Sequence, residues 1–555
     1  MACTPPDPGT KPTTTACRQA AATPLRGGVE DEVAAAWGRR PSAQRHRAAE
    51  EARRPDPPPV KHAKTSKAVQ RARQSKESTS SSLDLVHGAA SVEEELSNYV
   101  VVETSSLEPS PVCQGHRVSP PASSNLTGGG WVPLSRPHGP CSSAGDRAAP
   151  PSSVAETLRW DEHRVSYIQR KLSGAPLETP QSDQTDTQPA SPFGIGGPKG
   201  TSDVSPAATG GGGKLPGVTQ HMLLDTASDV PWVQCAPCPQ PQCYRQTDVT
   251  YDPSKSGTYA PFPCSSSVCR QLGPYANGCT GAGNTGQCQY RVQYPDGSST
   301  SGTYISDVLT INPTPAGTVG SFRFGCSHAV QRPDLFSNTT AGIMSLGRGA
   351  QSLSSQTKGT YGNAFSYCVP PTTSHNGFFI LGVPRIDASR YLLTPMLKSK
   401  MAPSLYLVRL QAIIVAGQPL AVPPMVFAAG AVMDSRTVIT RLQPTAYRAL
   451  RAAFRAQMGA YRVAPSTGQL DTCYDFTGVQ NVRLPKISLV FYSRSNGGAA
   501  VELDPSGVLF NSCLAFASTG GGDGSTGIIG HVQQRTIEVL YNVGGSAVGF
   551  RRRAC

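Results

Sequence analysis

The 555-residue sequence has no run of about 18 apolar residues, so it predicts no transmembrane helix. Its first residues, MACTPPDPGTKPTTTACRQ, lack the apolar stretch of a secretory signal. No phosphate-binding glycine loop is present, and no His is positioned to nominate a serine triad. These absences argue against a membrane-spanning protein, a nucleotide-binding enzyme and a serine hydrolase.

Cysteine, in contrast, is plentiful and concentrated in one region. Of the 16 cysteines, twelve lie between Cys235 and Cys555, among Ser- and Gly-rich loops. An even dozen in this setting predicts disulfides and an oxidising compartment. We therefore expect a secreted, extracellular protein, although no signal peptide is visible.

A zinc site is the alternative use of the first three of these cysteines. Cys235, Cys238 and Cys243 have the spacing of a partial site, but no second close pair of Cys or His accompanies them. We expect neither a metal nor a cofactor.

The formal net charge is +13, and residues 225–555 carry 26 Lys/Arg and 15 Asp/Glu. Such a surface would favour an acidic partner. A separate basic run at 53–76 resembles a nucleic-acid or nuclear-targeting patch. It has no interleaved aromatic residues for stacking on bases, so we interpret it as a solvated tail and expect no nucleic-acid partner.

The chain divides into regions that differ in amino-acid composition and in predicted secondary structure. Residues 1–97 are rich in Ala, Arg, Pro and Ser and are predicted to be disordered. An amphipathic helix is predicted at 152–172, opened by a capping box of Ser153 and Glu156. The predicted parts are an extension at 1–97, a segment with this helix at 98–175, a Ser/Thr/Pro/Gly linker at 176–218, and two mostly-β regions at 219–400 and 401–555. One clear helix, at 444–458, interrupts the β texture.

Two short stretches, MLLDTAS and VMDSRTV, each place an Asp directly after an apolar run. A buried carboxylate is costly unless something stabilises it, but Asp225 and Asp434 can share one proton if they face each other. The ionised partner can then take a proton from water, and the protonated partner can donate to a peptide carbonyl. The alternative is that both are unrelated turn or cap residues.

The residues that follow each Asp would support this pair. Thr226 and Ser435 supply hydroxyls that can cross-link the two loops, and Ser228 and Thr437 can donate to the carboxylates. A serine nucleophile is less well supported, because Ser345 lies in Gly-x-x-Ser-x-Gly and misses the spacing of a nucleophile elbow.

With these motifs, the chain resembles the plant nepenthesin-like branch of the pepsin-like aspartic proteases, peptidase family A1, over about residues 219–555. DTASDVPWVQC resembles the first active-site motif with Trp232, and YPDGSSTSGTY resembles the flap hairpin with Tyr294. The segment TGIIGHVQQRTIEVLYNV resembles the end of the second lobe.

The resemblance implies a mostly β, two-lobed fold whose cleft holds one Asp from each lobe. It implies an aspartic endopeptidase that acts on polypeptides as a monomer, with Asp225 and Asp434 catalytic and Tyr294 and Trp232 at the flap. It also implies that residues 98–175 form a pro-segment whose Arg and Lys pair with the carboxylates.

The twelve cysteines between Cys235 and Cys555 predict six disulfides, and the first seven of them resemble the family's cysteine-rich insertion. By resemblance, Cys326 pairs with Cys555 and Cys473 with Cys513. The pairing of the others stays open; they are Cys235, Cys238, Cys243, Cys264, Cys269, Cys279, Cys288 and Cys368.

Four features depart from the family pattern. Ala227, Arg436 and Ser345 stand where the family has Gly, and a strand before Asp225 is missing. If Arg436 points into the cleft, it is expected to pair with Asp434 and to lower its pKa, which would remove the acid that the reaction needs. A protease-shaped binding or inhibitor-like protein without catalysis is therefore the alternative function.

Overall fold

A computed structural model gives the structure of the chain. The residues it describes are 97–108, 110–118, 131–136, 138–142, 153–174, 190–197, 217–281, 286–294, 297–311, 317–331, 339–382, 388–494 and 498–555. Residues 1–96, which include nearly all of the predicted extension and its basic run at 53–76, lie outside them.

The described chain is mostly β, as predicted, with few helices. The strands of its first half are β1 (Tyr99–Glu103), β2 (Trp131–Leu134), β3 (Ala190–Ile195), β4 (Val218–Asp225), β5 (Trp232–Gln234), β6 (Ala260–Pro261), β7 (Ala276–Thr280), β8 (Gln287–Gln293), β9 (Ser299–Thr310), β10 (Thr318–Gln331), β11 (Gly342–Ser345), β12 (Ala364–Cys368), β13 (Gly377–Leu381) and β14 (Leu392–Pro395).

The second half continues with shorter strands. They are β15 (Leu407–Val408), β16 (Leu410–Val415), β17 (Gln418–Pro419), β18 (Ala431–Met433), β19 (Thr440–Leu442), β20 (Arg462–Ala464), β21 (Cys473–Asp475), β22 (Asn481–Pro485), β23 (Ile487–Phe491), β24 (Ala499–Glu502), β25 (Leu509–Phe510), β26 (Cys513–Leu514), β27 (Phe516–Ser518), β28 (Gly527–Ile529), β29 (Glu538–Asn542) and β30 (Ala547–Arg551). The α-helices are α1 (Thr104–Leu107), α2 (Val154–Ser173), α3 (Ser267–Arg270), α4 (Leu353–Gln356), α5 (Lys358–Tyr361), α6 (Pro444–Gln457) and α7 (Pro505–Val508). None of the described helices is both long and apolar enough to cross a membrane.

The first lobe is built on a nine-stranded sheet in which β4 is a central strand. β4 pairs with β3 on one side, antiparallel, and with β11 on the other, parallel. Its apolar run is explained by this position, because a strand buried on both faces has no polar side to present.

The expected gap in this sheet is absent. The strand missing before Asp225 is replaced by β3, Ala190–Ile195, which covers the edge of β4 over six residue pairs. Part of the predicted linker at 176–218 is therefore a sheet strand, while 176–189 and 198–216 lie outside the described residues. The stretch ASPFGI did not alternate in polarity, and its pairing partner follows it only after a long insertion.

A six-stranded sheet contains strands from distant parts of the chain, in the order β14-β30-β29-β12-β13-β2. The second lobe has sheets in the orders β15-β18-β28-β19-β27, β17-β16-β23-β24 and β20-β21-β26-β25. β1 pairs with β22 of this lobe, and β2 joins the six-stranded sheet, so the N-terminal segment (residues 97–174) is attached to the fold by two added strands.

Helix α2 of the N-terminal segment, Val154–Ser173, lies within two residues of the helix predicted at 152–172. The Ser153 side chain accepts from the Glu156 amide and the Glu156 side chain accepts from the Ser153 amide, so the predicted capping box is present. The helix ends at Gly174, whose φ of 68° is in the left-handed region that Gly tolerates. Leu158, Val165 and Ile168 are buried against the lobes.

Helix α6 lies in the second lobe and matches the predicted helix at 444–458. Pro444 occupies its first turn, where a missing amide proton costs nothing. Tyr447, Leu450 and Phe454 form its buried face, at the spacing of one side of a helix.

The disulfides number six between Cys235 and Cys555, as expected, but one inferred pairing is wrong. Cys326 bonds to Cys235 and Cys555 bonds to Cys368, whereas Cys473 does bond to Cys513. The remaining bonds are Cys238–Cys243, Cys264–Cys279, Cys269–Cys288 and, in the N-terminal segment, Cys113–Cys141.

The reason for the correction is sheet geometry. β10, which carries Cys326, runs parallel to β5, which ends beside Cys235, so their Cα atoms are 5.3 Å apart. Cys555 instead follows β30 in the six-stranded sheet, with its Cα atom 6.1 Å from that of Cys368 on β12. Both distances lie within the range that a disulfide can span. The three cysteines of the alternative zinc site are all oxidised, so they offer no thiolate ligands.

Candidate active site

The two predicted carboxylates lie at equivalent places in the two lobes. Asp225 is the last residue of β4, which runs parallel to β11, and Asp434 directly follows β18, which runs parallel to β28. Both carboxylate side chains are fully buried. Each carboxylate therefore lies at the end of a buried strand.

The hydroxyls of Thr226 and Ser435 cross-link the two loops, as the sequence predicts. The amide of Ser435 donates to Thr226 Oγ1 at 3.0 Å, and the amide of Thr226 donates to Ser435 Oγ at 3.2 Å. Each hydroxyl also donates to a carbonyl of the opposite lobe: Ser435 to Leu224 at 2.7 Å, and Thr226 to Met433 at 3.3 Å. These reciprocal bonds fix the distance between the two carboxylates.

Each carboxylate also receives local donors. Thr437 donates to Asp434 Oδ2 through both its amide, at 2.8 Å, and its hydroxyl, at 2.7 Å. The amide of Ala227 donates to Asp225 Oδ1 at 2.9 Å. Hydrogen bonds of this kind favour the ionised form of a carboxyl group.

Ser228 does not take its expected place on a carboxylate. Its hydroxyl lies 2.7 Å from that of Ser345, on β11 directly behind the first loop. Ser345, which stands where the family has Gly, is fully buried. The hydroxyl of Ser345 is therefore paired with the hydroxyl of Ser228, which was predicted to donate to a carboxylate.

A guanidinium from helix α2 occupies the space between the two carboxylates. Arg164 Nη2 lies 2.7 Å from Asp225 Oδ1 and 2.8 Å from Asp434 Oδ1, and Arg164 Nε donates to Asp434 Oδ2 at 2.9 Å. Arg164 Nη1 reaches Asp225 Oδ2 at 3.3 Å. Burial opposes the charge on Arg164, but the two carboxylates outweigh it and raise the pKa of Arg164 well above its usual value. One side chain therefore contacts all four carboxylate oxygens.

Other residues of α2 hold the helix over the cleft. Asp161 accepts from the Val438 amide at 2.6 Å and pairs with Arg441 at 2.8 Å. Lys171 donates to the Ala227 carbonyl at 3.0 Å. α2 is thus bound to both active-site loops by buried polar contacts.

The resemblance predicts that Arg and Lys of the segment meet the dyad, but Arg164 and Asp161 are not among the residues predicted for the site. A signal was available. Asp161, Arg164, Val165 and Ile168 are spaced i, i+3, i+4 and i+7, so two charged residues share the apolar face of the helix. Charged side chains are almost never fully buried unless they are paired, so this pattern predicts partners.

Arg436 points into the cleft, as considered above, but it pairs with Asp225 and not with Asp434, the carboxylate expected from the sequence. Its Nη1 lies 3.1 Å from Asp225 Oδ2, across the lobes. Burial by itself would raise the pKa of Asp225, but Arg164 and Arg436 outweigh burial and lower the pKa of this carboxyl well below its usual range. Asp225 is therefore held in the ionised form by two cations.

Backbone strain plays no part in the departures from the family pattern. Ala227 and Arg436 replace glycines, yet neither has a positive φ. Both side chains are buried, with 0 % and 5 % of the residue surface exposed. These substitutions therefore add a methyl group and a charged side chain to the cleft, and they do not strain the backbone.

The two residues assigned to the flap are in contact. The Trp232 indole Nε1 donates to the Tyr294 hydroxyl at 2.5 Å, and both side chains are buried. Burial raises the pKa of Tyr294 well above its usual value, so its hydroxyl stays neutral. Pro295 and Asp296, between β8 and β9 in the chain, lie outside the described residues.

The assembled site consists of two carboxylates whose loops are cross-linked by reciprocal hydrogen bonds. Helix α2 covers them and places the Arg164 guanidinium between them. Such a pair can activate a water molecule and protonate a carbonyl only when the guanidinium leaves. No group of three or more His, Cys, Asp or Glu in the described ranges could hold a metal ion.

Comparison with known families and proteins gives matches over most of the chain. The family profile described as "Xylanase inhibitor N-terminal" matches residues 213–383, and "Xylanase inhibitor C-terminal" matches residues 405–552. A solved structure named edgp shares 21% identity with a TM-score of 0.50, over 67% of this chain and 93% of that one, which indicates the same fold.

Among curated proteins, an aspartyl protease family protein of Arabidopsis thaliana is 37% identical over 75% of this chain and 86% of that protein. The Arabidopsis aspartyl protease AED1 is 35% identical, over 75% and 85%. Aspartic proteinase nepenthesin-2 of Nepenthes gracilis is 31% identical, over 60% and 74%.

Proposed function

Because the chain belongs to the nepenthesin-like branch of the plant pepsin-like aspartic proteases, we propose that it is an aspartic endopeptidase held latent by its N-terminal segment. The observation that carries this proposal is the contact of Arg164 with both buried carboxylates. A helix that supplies a cation to two carboxylates is expected of an inhibitory pro-segment, which must leave before substrate can enter.

The reaction would use the two Asp residues in different protonation states. Once Arg164 is withdrawn, a water molecule can take its place between the carboxylates. The ionised carboxylate accepts a proton from this water, which attacks the peptide carbonyl, and the protonated carboxyl donates to the carbonyl oxygen. Arg436 stays beside Asp225 after Arg164 leaves and still lowers the pKa of this carboxyl, so we assign Asp225 the role of base and Asp434 the role of acid.

The substrate would lie between the dyad and the flap. Tyr294, fixed by its hydrogen bond from Trp232, is the side chain that would close over a bound peptide. We propose a polypeptide substrate and a monomeric enzyme, without a cofactor.

The cysteines support an oxidising location. The seven disulfides of the described residues would be reduced in a glutathione-buffered cytosol. We propose that the protein acts outside the cell, in the apoplast, or in the vacuole.

A catalytically impaired binding protein is the second candidate, and Arg436 favours it. Its contact with Asp225 would persist after α2 leaves, because it belongs to the active-site loop itself. The matching family profiles carry the description of xylanase inhibitors, which is a binding function. In that case the cleft would be shaped as a protease and would not cleave.

A cleavage assay at acid pH separates the two candidates. The full chain, refolded with its disulfides, is acidified and incubated with a peptide substrate, with and without pepstatin. We expect pepstatin-sensitive cleavage, and we expect Asp225→Asn and Asp434→Asn each to abolish it. Residual cleavage in either variant would remove the dyad from the mechanism, and no cleavage by a folded chain that binds a partner protein would favour the second candidate.

A further inference from the structure

A second cluster of buried charge lies away from the carboxylates, beside a cavity of about 770 Å³. The cavity is bounded by the N-terminal segment, by residues 371–373 and by the second lobe. Arg136, which follows β2, and Arg535, which precedes β29, both line it. The cavity is large enough for a small organic molecule.

Both arginines are more than nine-tenths buried, with 6 % and 7 % of their surface exposed. Within the described part of the chain, neither forms an ion pair, and the Nε atom of each has no hydrogen-bond partner. Both side chains donate to neutral carbonyls: Arg136 to that of Pro370 at 3.4 Å and Arg535 to that of Ser506 at 2.7 Å. Buried guanidinium groups are normally paired, so this arrangement lacks an anion.

The neighbouring acidic groups do not supply that anion. Asp504 lies near Arg535, but its Oδ1 caps helix α7 through the Ser506 amide and hydroxyl. Glu108 and Asp475 line the cavity, and neither is within ion-pair distance of Arg136 or Arg535. The buried positive charge is therefore left uncompensated by these carboxylates.

A buried imidazole adds to the cluster. His531 is fully buried, and neither of its ring nitrogens has a hydrogen-bond partner among the described residues. Burial, then the charges of Arg136 and Arg535, lower the pKa of His531 well below its usual value. Burial lowers the pKa of Arg136 to about 10. For Arg535, burial and then the charge of Arg136 lower the pKa, against the opposing effect of Asp504. A bound anion would oppose each of these shifts, because it favours the protonated, positively charged forms.

We propose that this cavity is an oxyanion site in which a phosphate or sulfate group bridges Arg136 of the N-terminal segment and Arg535 of the second lobe. Planar guanidinium groups bind such oxygens through pairs of N–H donors, and the two free Nε–H groups are suited to this geometry. The bare ion would fill only part of the cavity, so a phosphate or sulfate ester fits the site as well. The inference does not depend on proteolytic activity.

The bridge has a consequence for the N-terminal segment. One cation comes from the segment and the other from the lobe that it covers, so an anion bound between them stabilises the attached state. Without the anion, the two like charges repel each other across the same interface.

The test is calorimetric titration of the full, disulfide-bonded chain at pH 7 with inorganic phosphate. Sulfate, a hexose phosphate, acetate and chloride are compared at equal ionic strength. We expect one phosphate per chain, binding of sulfate or the hexose phosphate at the same site, and a rise in Tm of roughly 2 °C or more at saturation. Absence of binding by the wild-type chain, or an equal effect of chloride, would overturn the proposal. Stronger binding of acetate than of phosphate would overturn the choice of a tetrahedral anion.

Variants locate the site. Arg136→Gln and Arg535→Gln should each weaken phosphate binding by at least about tenfold, since each removes one of two charge-assisted partners. Arg245→Gln, at an exposed position of the first lobe, is the matched control and should bind as the wild type does. If both cavity variants bind phosphate normally, the site is elsewhere and the proposal is wrong. The wild-type titration keeps the test decisive if a variant fails to fold.

Discussion

At the scale of single residues, Arg436 decides how much of the expected chemistry the dyad can perform. The catalytic cycle needs one carboxyl protonated and one ionised, and Arg436 Nη1 lies 3.1 Å from Asp225 Oδ2. Because Arg164 and Arg436 both lie beside Asp225, this carboxyl loses a shared proton more readily than it would if Arg436 were absent. The residue is therefore expected to weaken catalysis while it strengthens the closed, latent state.

Arg436→Gly is expected to raise peptidase activity at least tenfold, which requires about 1.4 kcal/mol of barrier. The physical reason is charge, because Arg436 has no positive φ that a glycine would relieve. The measurement is kcat/KM of each acid-activated protein on one peptide substrate.

Arg436→Gln is the matched control, since it removes the charge and keeps a side chain of similar reach. It should recover most of the gain, whereas Ala227→Gly should add less, because a methyl group carries no charge. If Arg436→Gly is as inactive as the wild type while it remains folded, the charge is not the lesion, and the binding-protein function gains support.

At the scale of elements, helix α2 closes the active site, because its Arg164 pairs with both carboxylates. It is positioned by its capping box, by the Asp161–Arg441 pair and by apolar residues on the same face as Arg164. Its length and start were predictable from the sequence because capping and periodicity are local. Which of its cations would reach the dyad was not, since that depends on how the helix crosses the two lobes.

The other wrong or missed predictions also concern contacts between residues that are distant in the sequence. Six disulfides followed from the count of cysteines, but the pairing of Cys326 with Cys235 depends on two strands being neighbours in a sheet. The strand β3 went unrecognised because it is separated from β4 by a long insertion. Ser228 was given to the dyad because the sequence does not reveal the hydroxyl of Ser345 beside it.

Replacing Arg164 is expected to loosen α2 more than any other single change in that helix. Arg164→Gln leaves two carboxylates buried without their main cation, a change of the kind that costs about 3–5 kcal/mol. The helix should then become sensitive to limited proteolysis at neutral pH, monitored by mass spectrometry of the fragments. Arg159→Gln, at an exposed position of the same helix, is the control. Equal protease resistance of the Arg164 variant and the control would contradict the assigned role.

At the scale of the whole molecule, the contacts between α2 and the dyad make the latent state dependent on pH. Asp225 has a folded-state pKa below its unfolded value, so it contributes stability above the unfolded pKa of about 3.9, and this contribution is lost as pH falls through the folded pKa. Asp161 has the opposite sign. Burial raises its pKa in spite of Arg441, so its contribution is present at low pH and is lost as pH rises. Acid release is therefore driven at the dyad rather than at Asp161.

The attached segment is expected to be stable at pH 5–7 and to loosen as pH falls below about 4. In Arg436→Gly, one of the cations that lower the folded-state pKa of Asp225 is gone, so the loss of stability should be complete at a higher pH. The measurement is Tm as a function of pH for both proteins, in buffers of constant ionic strength. A transition at the same pH in both would show that Arg436 does not control the titration of Asp225.

The disulfide from Cys368 to Cys555 closes a separation of 187 residues and ties the chain end to the six-stranded sheet. On the entropic model, a loop of this size contributes about 5 kcal/mol. Non-reducing peptide mapping should recover Cys368–Cys555 and Cys235–Cys326, and Cys555→Ser should lower the Tm. Recovery of a Cys326–Cys555 peptide would contradict this arrangement.

The central claim is that Arg164 keeps a working aspartic dyad closed, and one measurement tests it most directly. The full, disulfide-bonded chain is shifted from pH 7 to pH 3.5, and cleavage of a peptide substrate is followed over time, with and without pepstatin, while mass spectrometry follows loss of the segment that carries α2. The account predicts no cleavage at pH 7 and pepstatin-sensitive cleavage that appears together with release of α2. Release of α2 from a folded protein that never cleaves the substrate would contradict it.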